Sequence, residues 1–342
     1  MGIAIGVAVT VLVAALVVGL GMGAFDNPAT PLPPSTQLAA ATPTAAAATV
    51  APTATPIPSP TATFTPFPTP SPTVARPLPT MLATIGDSYT QAWSVSPTYR
   101  RDHPMFSWAV GYAKKDGVFS VRERFEALGA RLVIADEATS GRKMDDASRQ
   151  AGIIAQQAST LPKGSSVYVT FELGTNDLCD VSQTPLDDFE AELRDAMAVL
   201  EHLPSGSRIL MLSVPDFSHF YTITHANSKA RAYLSTRAGS LDCPPFLGTR
   251  SQYTMTEAKA TLAGYNAILY KVCDEIQATD GLDGKLSCTH DEAALSERNF
   301  TIADLSTADY FHPSLSGQAK MAAAAWSAGF WSSLPIPAGA AS

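Results

Sequence analysis

Met81-Leu82-Ala83-Thr84-Ile85-Gly86-Asp87-Ser88-Tyr89 opens the folded part of this chain. Its first six residues have the length of a strand and are too few for a buried helix. A Gly just past a strand end allows a tight turn, which leaves the following Ser at the carboxyl edge of a sheet. Further runs of strand length occur at Arg131–Ala135, Ser166–Leu173, Arg208–Val214 and Phe300–Leu305. Helical patterns lie between and after them, at Arg142–Ser159, Pro185–His202, Thr254–Ala278 and Ser314–Ser333. Strands alternating with helices predict an α/β fold, a three-layer α/β/α sandwich around a central parallel sheet of about five strands. Ligands bind such sheets at the carboxyl ends of the strands.

Upstream the texture differs. Ile3 to Ala24 is an apolar run broken only by glycines and Thr10. At about 1.5 Å of rise per residue it is long enough to cross a bilayer core of about 30 Å. Residues 1–25 are therefore expected to be an N-terminal transmembrane anchor or a cleaved signal segment, and either one exports the rest. Residues 26–79 are Pro, Thr, Ala and Ser with little else, and hold more than half of the 26 prolines. Such a segment has too little apolar surface to offset its ordering entropy, so an extended stalk is expected. Its Thr-Pro repeats suit an O-glycosylated stalk and an unmodified spacer equally well. Residues 80–335 form the expected single folded domain, and 336–342 a tail.

The formal charge is -8, from 23 basic and 31 acidic residues. Asp26 and Arg76 are the only charges before residue 80, so the imbalance belongs to the folded domain. An acidic domain without a Lys/Arg run makes nucleic acid an unexpected partner. The four cysteines are Cys179, Cys243, Cys273 and Cys288. An even number in an exported chain suggests two disulfides, and three connectivities are open. Sequential pairing is the expectation: Cys179–Cys243 would pin the loop after Asn176 to the segment following the fourth strand. Cys273–Cys288 would close a short loop before the last strand. No Cys-x-x-Cys or His-x-x-x-His spacing points to a metal, and the sequence holds no cofactor motif.

Four constellations carry chemistry. Gly86-Asp87-Ser88 follows the first strand; alone it equally suits a helix N-cap. Asp309-Tyr310-Phe311-His312 precedes the final helix, and its three-residue spacing can set a carboxylate against an imidazole nitrogen, fixing the tautomer. Glu172-Leu173-Gly174-Thr175-Asn176-Asp177 ends the strongest strand run. There Asn176 can aim its amide at a developing oxyanion, although these residues also favour turns. Ala138-Thr139-Ser140-Gly141 follows the second strand; a backbone N–H there can serve as an oxyanion donor at a helix N-terminus, or Thr139 or Ser140 can simply cap a helix.

In this order and spacing the four blocks resemble those of the SGNH (GDSL-like) hydrolase superfamily, with Gly86-Asp87-Ser88, Gly141, Gly174-Thr175-Asn176-Asp177 and Asp309-x-x-His312 as the matches. The common form has Leu after the Ser where this chain has Tyr89. Gly-Thr-Asn-Asp-Leu-Cys is also similar to secreted, phospholipase B-like branches. The resemblance implies a serine ester hydrolase with Ser88, Asp309 and His312 as triad. It implies an oxyanion hole of the Ser88 and Gly141 N–H groups and the Asn176 side chain. The expected substrate is a small-molecule, lipid or polysaccharide ester, met outside the cytoplasm, with the membrane reached through the N-terminal segment. Acyl transfer to another alcohol on the same triad, or a non-catalytic stalked binding protein, are the alternatives. Asp304 is the reserve acid and Asp177 is expected to hold its loop through backbone hydrogen bonds. His219 can line the cleft or merely pack. Trp93, Phe106 and Trp108 are candidates for an acyl-facing wall, and core packing explains them equally well.

Overall fold

Every strand in the sheet is parallel to its neighbours, in the order β2-β1-β3-β4-β5. The strands are β1 (Met81–Gly86), β2 (Val133–Asp136), β3 (Val167–Glu172), β4 (Ser207–Met211) and β5 (Leu286–His290). The computed structural model describes residues 77–237, 243–247, 253–295 and 300–337. The expected N-terminal anchor or signal, nearly all of the stalk and most of the tail lie outside the described residues. Both β1 and β3 are buried at all six positions, which is why they read as mostly apolar runs, with Thr84, Thr170 and Glu172 as the polar members.

Helices cover both faces of this sheet. On one, α2 (Ala147–Ala158), α4 (Leu186–Leu200) and α8 (Met255–Ala278) pack in series. On the other, α1 (Val121–Ala127) meets α9 (Leu315–Ala328), with the Phe125 ring edge-on to Tyr168 of β3, Trp326 and Trp331. Two helix starts are fixed by capping boxes, Ser120 with Glu123 on α1 and Thr254 with Glu257 on α8. Between β4 and α8 lie α5 (Phe217–Ala226), α6 (Ser228–Ser235) and α7 (Pro244–Leu247), and the short α3 (Thr175–Cys179) follows β3.

The expected strand at Phe300–Leu305 is corrected. Ile302–Asp304 there is a single 3-10 turn started by Thr301, and Leu305 makes only one antiparallel bridge, to Pro313. The fifth strand is instead Leu286-Ser287-Cys288-Thr289-His290, of which only Leu286 and Cys288 are buried. An edge strand with one face inward alternates, so it presents no apolar run.

Both sequential disulfides are present, with Cα atoms 4.3 Å apart for Cys179–Cys243 and 5.3 Å for Cys273–Cys288. The first joins the end of α3 to the residue preceding α7. The second does not close a loop before the last strand, as expected, but staples α8 to β5 itself. The strand order reverses at β1: the chain runs outward to β2, then crosses back to β3 on the other side. A crevice at such a switch point lies beyond the carboxyl ends of β1 and β3. Ser88, Gly141 and Asn176 follow β1, β2 and β3, three adjacent strands.

Candidate active site

After Gly86 the chain does not enter a helix; residues 88–94 wind through consecutive turns. The N-cap alternative for Asp87 or Ser88 is therefore not realised. The end of β1 is clamped by Gln150 of α2, whose Oε1 accepts from the Gly86 N–H at 2.9 Å and whose Nε2 donates to the Gly86 carbonyl at 3.1 Å. The Ser88 hydroxyl thus sits on a fixed turn. His312 Nε2 lies 3.0 Å from Ser88 Oγ, and His312 Nδ1 lies 2.9 Å from Asp309 Oδ2. The other Asp309 oxygen accepts from the N–H groups of Phe311 and His312, both at 3.0 Å. Burial pushes the Asp309 carboxyl up, but the His312 hydrogen bond and charge and those two N–H groups outweigh it. The carboxyl is held below its ordinary value and stays ionised. Tyr89 Oη donates to the Phe311 carbonyl at 2.9 Å, tying the serine turn to the histidine loop. A hydroxyl, an imidazole and a carboxylate in this series can pass the hydroxyl proton to the imidazole while a nucleophile forms.

The GDSL-like Lipase/Acylhydrolase family model matches residues 84–320, well over half of the chain. The chain belongs to that family. Among solved structures it is similar to a psychrotrophic esterase from a Pseudoalteromonas species, at 13% identity over 73% of this chain and 96% of that one, with a TM-score of 0.38. It is similar also to a lipase/acylhydrolase from Enterococcus faecalis, at 14% identity over 71% and 92%, with a TM-score of 0.41. A carbohydrate acetylesterase family member from Sinorhizobium meliloti gives 14% identity over 71% and 94%, and a TM-score of 0.40. No curated protein matches the chain in sequence. The protein is thus a GDSL-like carboxylic ester hydrolase.

In this GDSL-like hydrolase the second block is a loop, not the start of a helix. Gly141 is exposed with φ of 80°, and α2 begins only at Ala147, after a 3-10 turn at Met144–Asp146. The expected contribution of a helix N-terminus at Gly141, and the capping role for Thr139 or Ser140, are corrected accordingly. Ser140 instead hydrogen-bonds Asp102. Among the described residues the N–H groups of Ser88 and Gly141 donate to no acceptor. The Asn176 amide, by contrast, is occupied: Nδ2 donates to Asp87 Oδ2 at 2.9 Å and to the Arg142 carbonyl at 2.8 Å. It bridges the first and second blocks. Asp177 accepts from the Met144 N–H at 3.0 Å and from Thr184 Oγ1 at 2.8 Å, one backbone bond and one side-chain bond that hold the loop. Lys143 pairs with Asp180 across the same junction.

Three carboxyls are buried beneath this site. Burial lifts Asp87 to about 7, opposed by the Tyr89 N–H, His312 and Asn176. Burial, then the nearby Asp87 charge, lifts Glu172 well above the usual range. Burial lifts Asp177 to about 6. Gly86 and Glu172 stand opposite each other in the β1–β3 register, so the two strand ends bring Asp87 and Glu172 together. One Glu172 oxygen accepts from Thr90 Oγ1 at 3.1 Å, and the other has no partner among the described residues.

The Asp304 side chain is engaged elsewhere. It binds Lys320, Ser316 and Thr301 and anchors the start of α9. His219 packs with Nε2 2.7 Å from the Phe300 carbonyl. Trp108 is fully buried and Phe106 nearly so, whereas Trp93 is partly exposed and 6.4 Å from the His312 ring. Gln150 and Gln318 were not singled out by the sequence. Gln318 of α9 donates to the Tyr89 carbonyl at 2.9 Å and accepts from the Trp108 N–H at 2.8 Å. A Gln on the buried face of a helical pattern was the available signal.

Proposed function

We propose that Ser88 is the nucleophile, His312 the general base and acid, and Asp309 the group that orients His312. His312 takes the Ser88 proton as the hydroxyl attacks the ester carbonyl. The tetrahedral anion is received by the N–H groups of Ser88 and Gly141 and by the Asn176 amide, which turns from one of its present acceptors. His312 then gives its proton to the departing alcohol, and water repeats the cycle on the acyl-enzyme. The observation that supports this reading most directly is the unbroken Ser88–His312–Asp309 hydrogen-bond series, at 3.0 and 2.9 Å.

The substrate proposed is an ester outside the cytoplasm, of a lipid, a phospholipid or an acetylated carbohydrate. Two disulfides fit an oxidising compartment. The apolar run at residues 3–24 supports export, as anchor or signal, with residues 26–79 as the spacer.

The test is steady-state and burst hydrolysis of p-nitrophenyl acetate, butyrate and octanoate by a chain beginning near residue 77, with Ser88→Ala alongside. Turnover abolished in Ser88→Ala, with a fluorophosphonate adduct on wild-type Ser88, is expected. The chain-length preference then separates acetylesterase from lipase. A rate that climbs with added alcohol would reassign the enzyme to acyl transfer. Equal inertness of both proteins, with no adduct, would leave a stalked binding protein.

A further inference from the structure

Three aromatic rings lie against His312: Phe311 at 4.9 Å, Tyr89 at 5.7 Å and Trp93 at 6.4 Å between centroids. Phe311 and Tyr89 are buried and hold the imidazole from within the protein. Trp93 differs in being partly open to solvent. Its backbone is also held in an unusual way. The residues on either side, Ala92 and Ser94, have φ of 49° and 54°, in the left-handed region that residues other than Gly rarely occupy. Hydrogen bonds fix this double inversion: the Trp93 N–H donates to the Ser88 carbonyl at 2.9 Å, the Ser94 N–H to the Arg101 carbonyl at 3.3 Å and the His103 N–H to the Gln91 carbonyl at 2.9 Å. Ala92 and Ser94 are buried while the indole between them is not. The turn packs Ala92 and Val95 with Phe106 in a small buried apolar cluster that does not include the indole.

We infer that Trp93 is a specificity-determining platform for the alcohol portion of the ester, and that the preferred alcohol carries a ring. The inference rests on the assignment of Ser88 and His312 made above. In that mechanism the alcohol oxygen leaves toward His312 Nε2, because His312 returns the proton to it. The oxyanion donors Ser88, Gly141 and Asn176 define the other side of the carbonyl. An indole beside His312 therefore faces the alcohol, not the acyl chain, which reverses the acyl-wall reading of Trp93. A flat indole favours a partner with an apolar face, whether an aromatic ring or the C–H face of a sugar ring, over a short open-chain alcohol.

The test compares three acetates with a common acyl group: benzyl acetate, a methyl glucopyranoside acetylated at one hydroxyl, and ethyl acetate. Benzyl and ethyl alcohols are leaving groups of similar basicity, so their kcat/KM ratio reports contact more than intrinsic reactivity. In wild type the ratio is expected to favour the ring ester. Trp93→Ala should cut the ring-to-ethyl ratio about tenfold, chiefly through KM, and Trp93→Phe should keep most of it. Which ring ester loses more identifies the ring as aromatic or carbohydrate. A ratio unchanged in Trp93→Ala, with all three esters falling together, would overturn the inference and leave Trp93 a structural residue. Ser88→Ala keeps the two readings apart: if it hydrolyses the acetates like wild type, the nucleophile assignment fails first.

Discussion

Asn176 holds two positions at once. Its amide donates to Asp87 and to the Arg142 carbonyl, yet the proposed chemistry asks it to meet an oxyanion as well. Removing one oxyanion donor typically costs about 3–4 kcal/mol of transition-state stabilisation. Asn176→Ala is accordingly expected to lower kcat by roughly 100-fold or more. It should also unfold at lower denaturant, by about 1 kcal/mol, because a buried carboxyl and a carbonyl each lose a donor. Urea unfolding beside turnover checks both; an unchanged kcat would remove Asn176 from the site. Ser88, Asn176, Asp309 and His312 were legible as candidates in the sequence because each sits in a short block whose order is informative. The second duty of Asn176 was not, since the Asp87 and Arg142 contacts span 89 and 34 residues of sequence. Gln150 and Gln318 escaped for the same reason: they support Gly86 and Tyr89 across 64 and 229 residues.

The elements differ in what they do for the site. Gly174 starts α3 at φ of 120°, and a Cβ there would stand 2.6 Å from Val214 Cγ2 and 3.4 Å from the Phe189 ring. Gly174→Ala should therefore cost about 2–5 kcal/mol in denaturant unfolding, through backbone strain and overpacking together. The two disulfides give a contrast. Cys273–Cys288 spans 15 residues and fastens the edge strand β5, remote in sheet order from β1 and β2. Its double Ala variant should lose about 3 kcal/mol of stability and leave kcat/KM nearly unchanged. Cys179–Cys243 instead holds the end of α3, the helix that carries Asn176, so its double Ala variant should lose both stability and kcat/KM. Equal kinetic effects of the two variants would refute this division. β1, β3 and β4 were legible because strands buried on both faces are mostly apolar, with only Thr84, Thr170, Glu172, Ser207 and Arg208 as polar members. β5 was not, and the apolar Phe300 and Ile302 nearby took its place in the reading although their backbone only turns. The helices α5, α6 and α7, of 10, 8 and 4 residues, were missed because each is shorter than the stretch of about 11–18 residues over which a helical period can be told from chance.

The molecule as a whole carries a pH dependence that its buried acids dictate. Burial lifts the folded-state Asp87 to about 7 and holds Glu172 well above its ordinary value, so the folded state binds protons that the unfolded chain releases from about pH 4 upward. For a raised carboxyl the stabilising contribution is complete below its ordinary value and is lost as pH rises through its folded value. Asp309 runs the other way. Its lowered value adds stability above the ordinary carboxylate range, which is lost only as strong acid protonates it. Between pH 5 and pH 8 the raised carboxyls govern, Asp177 at about 6 among them, and the melting temperature should fall across that window. The net charge of -8 acts in the same direction, because self-repulsion grows as acids ionise, so the wild-type slope alone does not isolate the pair. Glu172→Gln does. Gln keeps the shape of the neutral carboxyl, offers its amide toward Asp87 and removes one ionisation, while altering the net charge at most by one. Its melting temperature relative to wild type should rise steadily from pH 5 toward pH 8. Parallel curves for the two proteins over pH 5–8 would mean that Asp177 and repulsion across the whole surface, and not the Asp87–Glu172 pair, set the slope.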